Sequence, residues 1–344
     1  MARLRRSDPN GAGLTRAGHG RGFRYLDAHG DPVRGEDLAR IRALVIPPAW
    51  REVWISPHAN GHIQAVGVDE AGRKQYLYHP DWTARRDAEK FDRVLRLGGR
   101  LPEVRARVAE LVTAPGLGRE RVLAAALRML ELGAFRVGGH VYTRENGSFG
   151  LATLRREHIR LRRGRIHVAY QAKGGQDREL VLRDDEVHAV LRGLLRRRED
   201  NPELLAYRRG REWCNVRAEE INEFLRELAG PGFSAKDLRT WNATVLAATA
   251  LAVRARPETK TGRARAVREM IKEVAEELGN TPAVCRRSYV DPYVLTGYDN
   301  GLTIRRTVQR AGSTDLTRTG VRDTIERSVL RLLRRARREL PAAG

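Results

Sequence analysis

Short runs of alternating apolar and polar residues fill the N-terminal part of the chain between Gly22 and about Trp82. Turn-forming residues such as Pro57 and Gly67 separate these runs. Alternation with a period of two is typical of β-strands that bury one face. The pattern therefore predicts a small β-rich unit whose strands lie at residues 52–56, 62–66 and 74–78.

The segments on either side of this unit have a different pattern. Residues 1–20 mix arginine, glycine, serine, proline and asparagine without periodicity, which predicts a disordered basic tail. Thr83–Arg96 is charged and contains neither glycine nor proline, so we predict a connecting helix there. After Gly98 and Gly99 the pattern becomes helical. The domains predicted from these changes are residues 1–20, 21–90 and 91–344.

Apolar residues recur every three or four positions in the larger part of the chain, which predicts amphipathic helices. Gly133, Gly230 and Gly279 follow three of these runs, at the position where helices often end. Ser234 and Asp237 have the spacing of a capping box, which begins a helix. The predicted helices lie at residues 118–132, 219–228, 234–253, 263–278 and 321–340.

One segment of the larger part is predicted to be extended instead. Residues 165–182 contain two alternating runs divided by Gly174-Gly175-Gln176, a pattern typical of a β-hairpin. A chain of 344 residues is also too long for one compact core, which favours two domains. We therefore predict an α+β fold, in which a small N-terminal β-rich domain precedes a larger, mainly helical domain that contains a small sheet or hairpin.

The charge of the chain indicates its class of partner. It has 65 basic and 43 acidic residues, a formal net charge of +22. Cationic side chains that bind nucleic acid release counter-ions from its phosphates, so this excess of positive charge indicates a polyanionic binding partner. Only six of the basic residues are lysines, a bias towards arginine that genome composition alone can also produce. Charge by itself leaves open a non-enzymatic basic DNA-binding protein.

Cysteine content and hydropathy exclude several other classes of protein. Two cysteines, Cys214 and Cys285, are too few for a disulfide scaffold or a thiolate zinc site and suit a reducing compartment. Ala243–Val253 is the most apolar run, and it is too short to span a bilayer. The first residues lack the apolar core of a signal peptide. We expect a cytoplasmic protein.

Common motifs for nucleotide and metal binding are missing from the sequence. It contains no Walker loop, no G-x-G-x-x-G after a strand, no H-E-x-x-H and no paired-cysteine metal motif, and its nine histidines are scattered. The sequence therefore predicts chemistry that needs neither ATP nor a metal ion, and no small-molecule cofactor is expected.

Several short motifs are distributed along both parts of the chain. Those in the larger part are Phe135-Arg-Val-Gly-Gly139, Ala172-Lys-Gly-Gly175, Lys236-Asp-Leu-Arg-Thr240, Gly279-Asn-Thr-Pro282 and Arg287-Ser-Tyr-Val-Asp-Pro292. Those in the β-rich part are Ile46-Pro-Pro-Ala-Trp50 and Gly72-Arg-Lys-Gln-Tyr-Leu-Tyr-His79. Together they resemble a known family, the type IB DNA topoisomerases of the bacterial and poxvirus-like branch, whose catalytic domain is shared with the tyrosine recombinases.

The resemblance implies a catalytic set, which is Arg136, Lys173, Arg239, Asn280 and Tyr289. A tyrosine can attack a DNA phosphodiester, arginines can bind the charge that grows on the phosphate, and a lysine can protonate the leaving oxygen. Asn280 departs from the family pattern, in which this residue is usually histidine. An amide can donate a hydrogen bond to a phosphate but cannot transfer a proton.

The resemblance also implies DNA contacts by five further side chains, which are Gln75, Tyr76, Tyr78, Tyr142 and Lys236. Alternatives remain open for some of them. The tyrosines of the Gln75–Tyr78 stretch could simply pack a small β domain, and Lys236 could be an ordinary cation near a helix N-terminus.

The function implied is relaxation of supercoiled duplex DNA through a transient 3′-phosphotyrosyl link at Tyr289. The resemblance further implies a monomer that closes around DNA as a clamp in the bacterial nucleoid. A tyrosine recombinase or integrase is the nearest alternative, and the β-rich block that contains Ile46-Pro-Pro-Ala-Trp50 argues against it.

Overall fold

The computed structural model describes residues 3–341, apart from the side chains of Val141, Tyr142 and Thr319. The chain divides into two compact units, residues 1–90 (unit 1) and residues 91–344 (unit 2). Unit 1 is β-rich and unit 2 is mostly helical, which confirms the predicted α+β class. None of the described helices combines the length and the apolar character that a membrane crossing requires.

Unit 1 contains an antiparallel sheet of five strands in the order β2-β1-β3-β4-β5. Its elements are β1 (Leu14–His19), β2 (Gly22–Leu26), α1 (Gly35–Ala43), β3 (Arg51–Ile55), β4 (Ile63–Val68) and β5 (Lys74–Tyr78). Alternate residues of the central strands face a small core together with Ile41 of α1. The three predicted strands are present within two residues at each end, whereas helix α1 was not predicted.

The start of the chain is more ordered than its composition suggests. Strand β1 falls within residues 1–20, which the sequence predicted to be a disordered tail, so that prediction is wrong for these residues. Leu14 is buried and pairs with Ile55 of β3. Closer to the N-terminus, the amide of Ser7 donates a hydrogen bond to Nδ1 of His62 at 2.9 Å. Strand pairing, the burial of Leu14 and the hydrogen bond to His62 hold this segment, although most of its side chains are polar or charged.

Most of unit 2 consists of helices. They are α2 (Pro80–Val112, which begins within residues 1–90), α3 (Arg119–Gly133), α4 (His140–Asn146), α5 (Asp185–Leu195), α6 (Ala218–Ala229), α7 (Ala235–Val253), α8 (Lys260–Leu278), α9 (Pro282–Ser288), α10 (Pro292–Asp299), α11 (Arg305–Ala311) and α12 (Thr319–Glu339). Its strands are β6 (Ile159–Arg162), β7 (Arg165–Ala172), β8 (Gln176–Leu182), β9 (Ala206–Arg209) and β10 (Glu212–Asn215). Strands β6, β7 and β8 form one antiparallel sheet, and β9 pairs with β10.

Helix α7 lies at the centre of the core of unit 2. Its start was predicted from Ser234 and Asp237, and the carboxylate of Asp237 accepts hydrogen bonds from the Ser234 amide at 3.0 Å and hydroxyl at 2.7 Å. Arg93 of α2 donates to the other carboxylate oxygen at 2.9 Å. Trp241, one turn after Asp237, is fully buried. A hydrogen-bonded start and apolar burial along most of its length fix this helix firmly.

Helix α2 continues through Gly98 and Gly99, after which the sequence predicted a change to a helical pattern. A Cβ atom at Gly98 would come within 2.8 Å of the Trp241 ring. The glycine is therefore explained by close approach of α2 to α7 and not by the end of an element. The connecting helix predicted at Thr83–Arg96 is only the first half of α2.

Candidate active site

Four of the five predicted catalytic side chains line one cavity in unit 2. Its volume is about 350 Å³. Arg136, Lys173, Arg239 and Tyr289 lie on its walls, and they come from four separate segments of the chain. Lys236, which was predicted to bind DNA, lies on the same wall. The fold therefore brings together side chains that the sequence keeps far apart.

Tyr289 directly follows α9 and is held in place by its backbone. Its amide donates to the carbonyl of Cys285 at 3.0 Å, and its carbonyl accepts from the hydroxyl of Thr244 in α7 at 3.2 Å. The ring is half-buried, and the guanidinium carbon of Arg239 lies 5.3 Å from its centroid. A cation at this distance stabilises negative charge that develops on the phenol.

Arg239 is almost completely buried, with 3% of its surface exposed. Its guanidinium donates hydrogen bonds to the carbonyls of Ala134 and Leu278. Burial lowers the pKa of Arg239 to about 10, and the positive charge of Arg136 acts in the same direction. Since this pKa is still well above neutrality, Arg239 keeps its charge under physiological conditions.

Arg136 and Asn280 form a direct pair. Nη2 of Arg136 donates to Oδ1 of Asn280 at 2.5 Å and to the carbonyl of Gly279 at 2.9 Å. Asn280 does not belong to the cavity wall, and it lines a separate groove with residues of β8 and α8. Its Nδ2 is buried without a hydrogen-bond partner among the described residues, so this donor is available to a ligand.

The two lysines of the site lie at the ends of elements. Lys173 stands at the turn between β7 and β8, where Gly174 and Gly175 have φ angles of +84° and +72°. Such angles favour glycine, which explains the sequence of this turn. Lys236 lies in the first turn of α7, three residues before Arg239 on the same side of the helix.

Arg178 of β8 is a second buried guanidinium near Arg239, which the sequence analysis did not identify. It is 8% exposed and donates to the carbonyls of Gly133 at 3.1 Å and Glu277 at 2.6 Å. Burial lowers its pKa. A signal was present in the sequence, because the period of two places Arg178 on the same face of the hairpin as Leu180 and Leu182.

The predicted DNA-binding residues of β5 belong to unit 1. Tyr76 and Tyr78 are 41% and 46% exposed, and their rings stack with centroids 6.0 Å apart. Gln75 lies on the opposite face of the strand, so the three side chains do not share one surface. Its Nε2 donates to Asp69 at 2.9 Å. Tyr142 lies in α4, but its side chain is outside the described residues.

Comparison with known proteins identifies the family. The family described as "Eukaryotic DNA topoisomerase I, catalytic core" matches residues 79–299, which is more than half of the chain. The chain belongs to the type IB DNA topoisomerases. The family described as "Bacterial DNA topoisomerase IB, N-terminal domain" matches residues 22–69. The resemblance found in the sequence is confirmed, and the chain is a DNA topoisomerase.

Individual relatives agree with this assignment. The DNA topoisomerase 1B of Acanthamoeba polyphaga mimivirus is 31% identical over 286 residues, which cover 81% of this chain and 84% of the relative. The DNA topoisomerase 1B of vaccinia virus (strain Copenhagen) is 24% identical over 236 residues, or 67% and 70% of the two chains. A solved complex of the XerH site-specific recombinase with its difH substrate aligns at 16% identity over 61% of this chain and 51% of that one. Its TM-score of 0.36 is too low for a functional comparison.

Proposed function

We propose that this topoisomerase relaxes supercoiled duplex DNA by cutting one strand through Tyr289, allowing rotation and then resealing the strand. The observation that carries the proposal is the cavity shared by Tyr289, Arg136, Arg239 and Lys173. Phosphoryl transfer by protein side chains alone needs a nucleophile, fixed cations and a proton donor, and these four side chains provide all three.

In the cleavage step, the phenol oxygen of Tyr289 attacks the DNA phosphorus in line with the leaving oxygen. The new O–P bond forms as the bond to the 5′ oxygen breaks, so the phosphate becomes a 3′-phosphotyrosyl ester. The phenolic proton is released to water, and the departing 5′ oxygen takes a proton from Lys173. The free 5′-hydroxyl end can then rotate about the intact strand.

Arg136 and Arg239 stabilise the charge that grows on the non-bridging phosphate oxygens. Guanidinium forks bind such oxygens through two parallel hydrogen bonds and remain charged throughout the reaction. Arginines at phosphoryl-transfer transition states contribute about 10³–10⁵ in rate. The burial of Arg239 strengthens its effect, since nearby water is excluded.

Lys173 and Asn280 have different roles in the proposed reaction. An alkoxide leaving group is strongly basic and requires a proton, which a lysine ammonium can provide. Asn280 has an unpaired buried donor at Nδ2, and we assign it a hydrogen bond to a non-bridging oxygen. It accepts from Arg136 at the same time, and therefore also orients that guanidinium.

Resealing is the reverse reaction, in which the 5′-hydroxyl attacks the phosphotyrosyl ester. The ester conserves the energy of the broken bond, so the cycle requires neither ATP nor a metal ion. We assign DNA binding to the domain at residues 21–90, through Gln75, Tyr76 and Tyr78, with Tyr142 and Lys236 contributing from the catalytic domain at residues 91–344. We place the enzyme on duplex DNA as a monomeric clamp in the nucleoid.

The test compares three proteins on a negatively supercoiled plasmid in EDTA without ATP. The wild-type chain should relax the plasmid, and denaturation during the reaction should trap protein on 3′ ends. Tyr289→Phe should bind DNA but form no adduct and relax nothing. Tyr207→Phe is the matched control, because the phenol of Tyr207 in β9 donates to Glu220 in α6 and not to a residue of the site.

Relaxation by Tyr289→Phe would remove this residue from the mechanism. Products with exchanged strands would indicate a recombinase instead, and DNA binding without any adduct from the wild-type chain would indicate a non-enzymatic binding protein.

A further inference from the structure

Arg178 belongs to a row of three guanidiniums at the ends of α3 and α8. At the end of α8, each guanidinium donates to the carbonyl of one of three consecutive residues. These pairs are Arg178 with Glu277, Arg239 with Leu278 and Arg136 with Gly279. On the α3 side, Arg178 and Arg239 donate to the consecutive carbonyls of Gly133 and Ala134. Arg178 therefore continues a pattern that contains both proposed catalytic arginines.

Helix ends explain why three like charges can lie so close together. The last carbonyls of a helix have no partner within the helix and carry the negative end of its dipole. Two helices end here, and their carbonyls provide neutral acceptors for buried cations. Arg178 does not line the cavity that Arg136, Arg239 and Tyr289 share, and its Nη2 donates to the two carbonyls of Gly133 and Glu277.

Arg178 and Lys173 belong to the same β7–β8 hairpin, so a contact that fixes Arg178 also restrains the turn that carries Lys173. It lies opposite Tyr170 in the β7–β8 ladder, two pairs before the turn that carries Lys173. A Cβ atom at Gly279 would come within 2.7 Å of its Nη1, so its guanidinium packs directly on the segment that leads to Asn280. Through one side chain the hairpin is fixed to the ends of α3 and α8.

We propose that Arg178 is a positioning residue, which holds the hairpin so that Lys173 meets the leaving oxygen. This inference rests on the proposed function. The turn beyond Lys173 consists of two glycines and offers little stiffness of its own. Displacement of a catalytic group by about 1 Å can cost about 10²-fold in rate, so the attachment of the hairpin matters for the chemistry.

The test measures single-turnover cleavage of a duplex that carries either oxygen or sulfur at the bridging 5′ position. A thiolate leaves without help, since thiols have a pKa near 8.5, whereas an alkoxide requires protonation. The variants are Arg178→Met and Arg178→Lys. Arg197→Met is the matched control, because Arg197 is 6% exposed and also binds backbone carbonyls, those of Leu194 and Leu204, away from the cavity.

Arg178→Met should cleave the oxygen substrate about 10- to 100-fold more slowly than the wild type, with unchanged DNA affinity. The sulfur substrate should restore its rate to within about threefold of the wild type. Arg178→Lys keeps the charge but not the fork, so it should show a smaller loss that sulfur also relieves. Arg197→Met should lower the melting temperature but leave the ratio of the two rates unchanged.

A normal rate of Arg178→Met on the oxygen substrate would overturn the proposal, and so would a loss that sulfur does not relieve. If Arg178→Met does not fold, Arg178→Lys decides by the same ratio. Failure of the wild-type chain to form an adduct with either substrate would instead reject the proposed function, so the two failures are distinguishable.

Discussion

Arg337 of α12 forms an ion pair with Asp291, two residues after the proposed nucleophile. Nη2 of Arg337 donates to the carboxylate at 2.8 Å, and the side chain of Asp291 is only 2% exposed. The carboxylate also accepts from the amide of Tyr293 at 2.9 Å, which begins α10. The amide of Asp291 donates to the Thr244 hydroxyl, which in turn binds the Tyr289 carbonyl. Helix α12 thus supports the backbone of the candidate active site.

We expect Arg337→Met to lower the free energy of unfolding by about 3–5 kcal/mol, because it leaves a buried carboxylate without its cation. Asp291→Asn should cost less, since asparagine can still accept from the Tyr293 amide. Urea denaturation measures both changes. The control is Arg335→Met, which removes an exposed pair with Glu339 and should cost at most about 1 kcal/mol. Equal losses at positions 335 and 337 would contradict this account.

The asparagine at position 280 should affect how the cleavage rate depends on pH. Asparagine does not titrate, whereas Asn280→His introduces a group with a pKa near 6.5. The cleavage rate of that variant should gain a new dependence on pH between about 5.5 and 7.5. Asn280→Ala should cleave about 10²-fold more slowly at every pH, since it loses both the acceptor for Arg136 and a donor to the phosphate. Identical pH profiles for the wild type and Asn280→His would place residue 280 outside the reaction.

Two adjacent glycines in α2 should respond to alanine in opposite directions. At Gly98 the new methyl group would press on Trp241, which is fully buried, so we expect a loss of about 1–3 kcal/mol in the free energy of unfolding. At Gly99 the nearest atom is Nη2 of Arg334 at 3.9 Å, and alanine should add about 0.5–1 kcal/mol through helix propensity. Thermal or urea unfolding of both variants tests this, and stabilisation by Gly98→Ala would refute the close packing.

Asp69 should titrate at unusually low pH. Hydrogen bonds from the side chain and amide of Arg73, together with one from Gln75, lower the pKa of Asp69 to about 2 from 3.8. A carboxyl with a lowered folded pKa stabilises the fold fully above the unfolded value, and this contribution is lost as the pH falls through about 2. Carboxyl-carbon NMR should give a midpoint near 2. Arg73→Ala should move that midpoint towards 3.8, and a wild-type midpoint already at 3.8 would exclude the contacts.

Local signals in the sequence were sufficient for much of the fold. The Ser234 and Asp237 capping box placed the start of α7, and the glycine turn placed the β7–β8 hairpin, because both depend on hydrogen bonds or backbone angles within a few residues. The continuation of α2 beyond Arg96 was not predicted, and the reason for Gly98 lies in its contact with Trp241, far along the chain. Tertiary packing of this kind leaves no local pattern.

The site could be predicted only in part, for the same physical reason. The resemblance to the type IB topoisomerases pointed to Arg136, Lys173, Arg239 and Tyr289, which share one cavity, while their catalytic roles stay predictions. Arg178 was missed because its partners are backbone carbonyls, which every residue carries and no sequence pattern marks. Burial of an arginine on the apolar face of a strand was the one available signal.

The row of guanidiniums has a consequence for turnover. Arg136, Arg178 and Arg239 are held by carbonyl and amide oxygens, which are polar but carry no net charge. Among the described residues neither Arg136 nor Arg239 has a carboxylate partner, so a phosphodiester that binds them does not have to displace one, and a departing phosphodiester leaves no broken ion pair behind. An enzyme that binds and releases the DNA backbone in each cycle benefits from cations that are already in position and are not neutralised by a carboxylate.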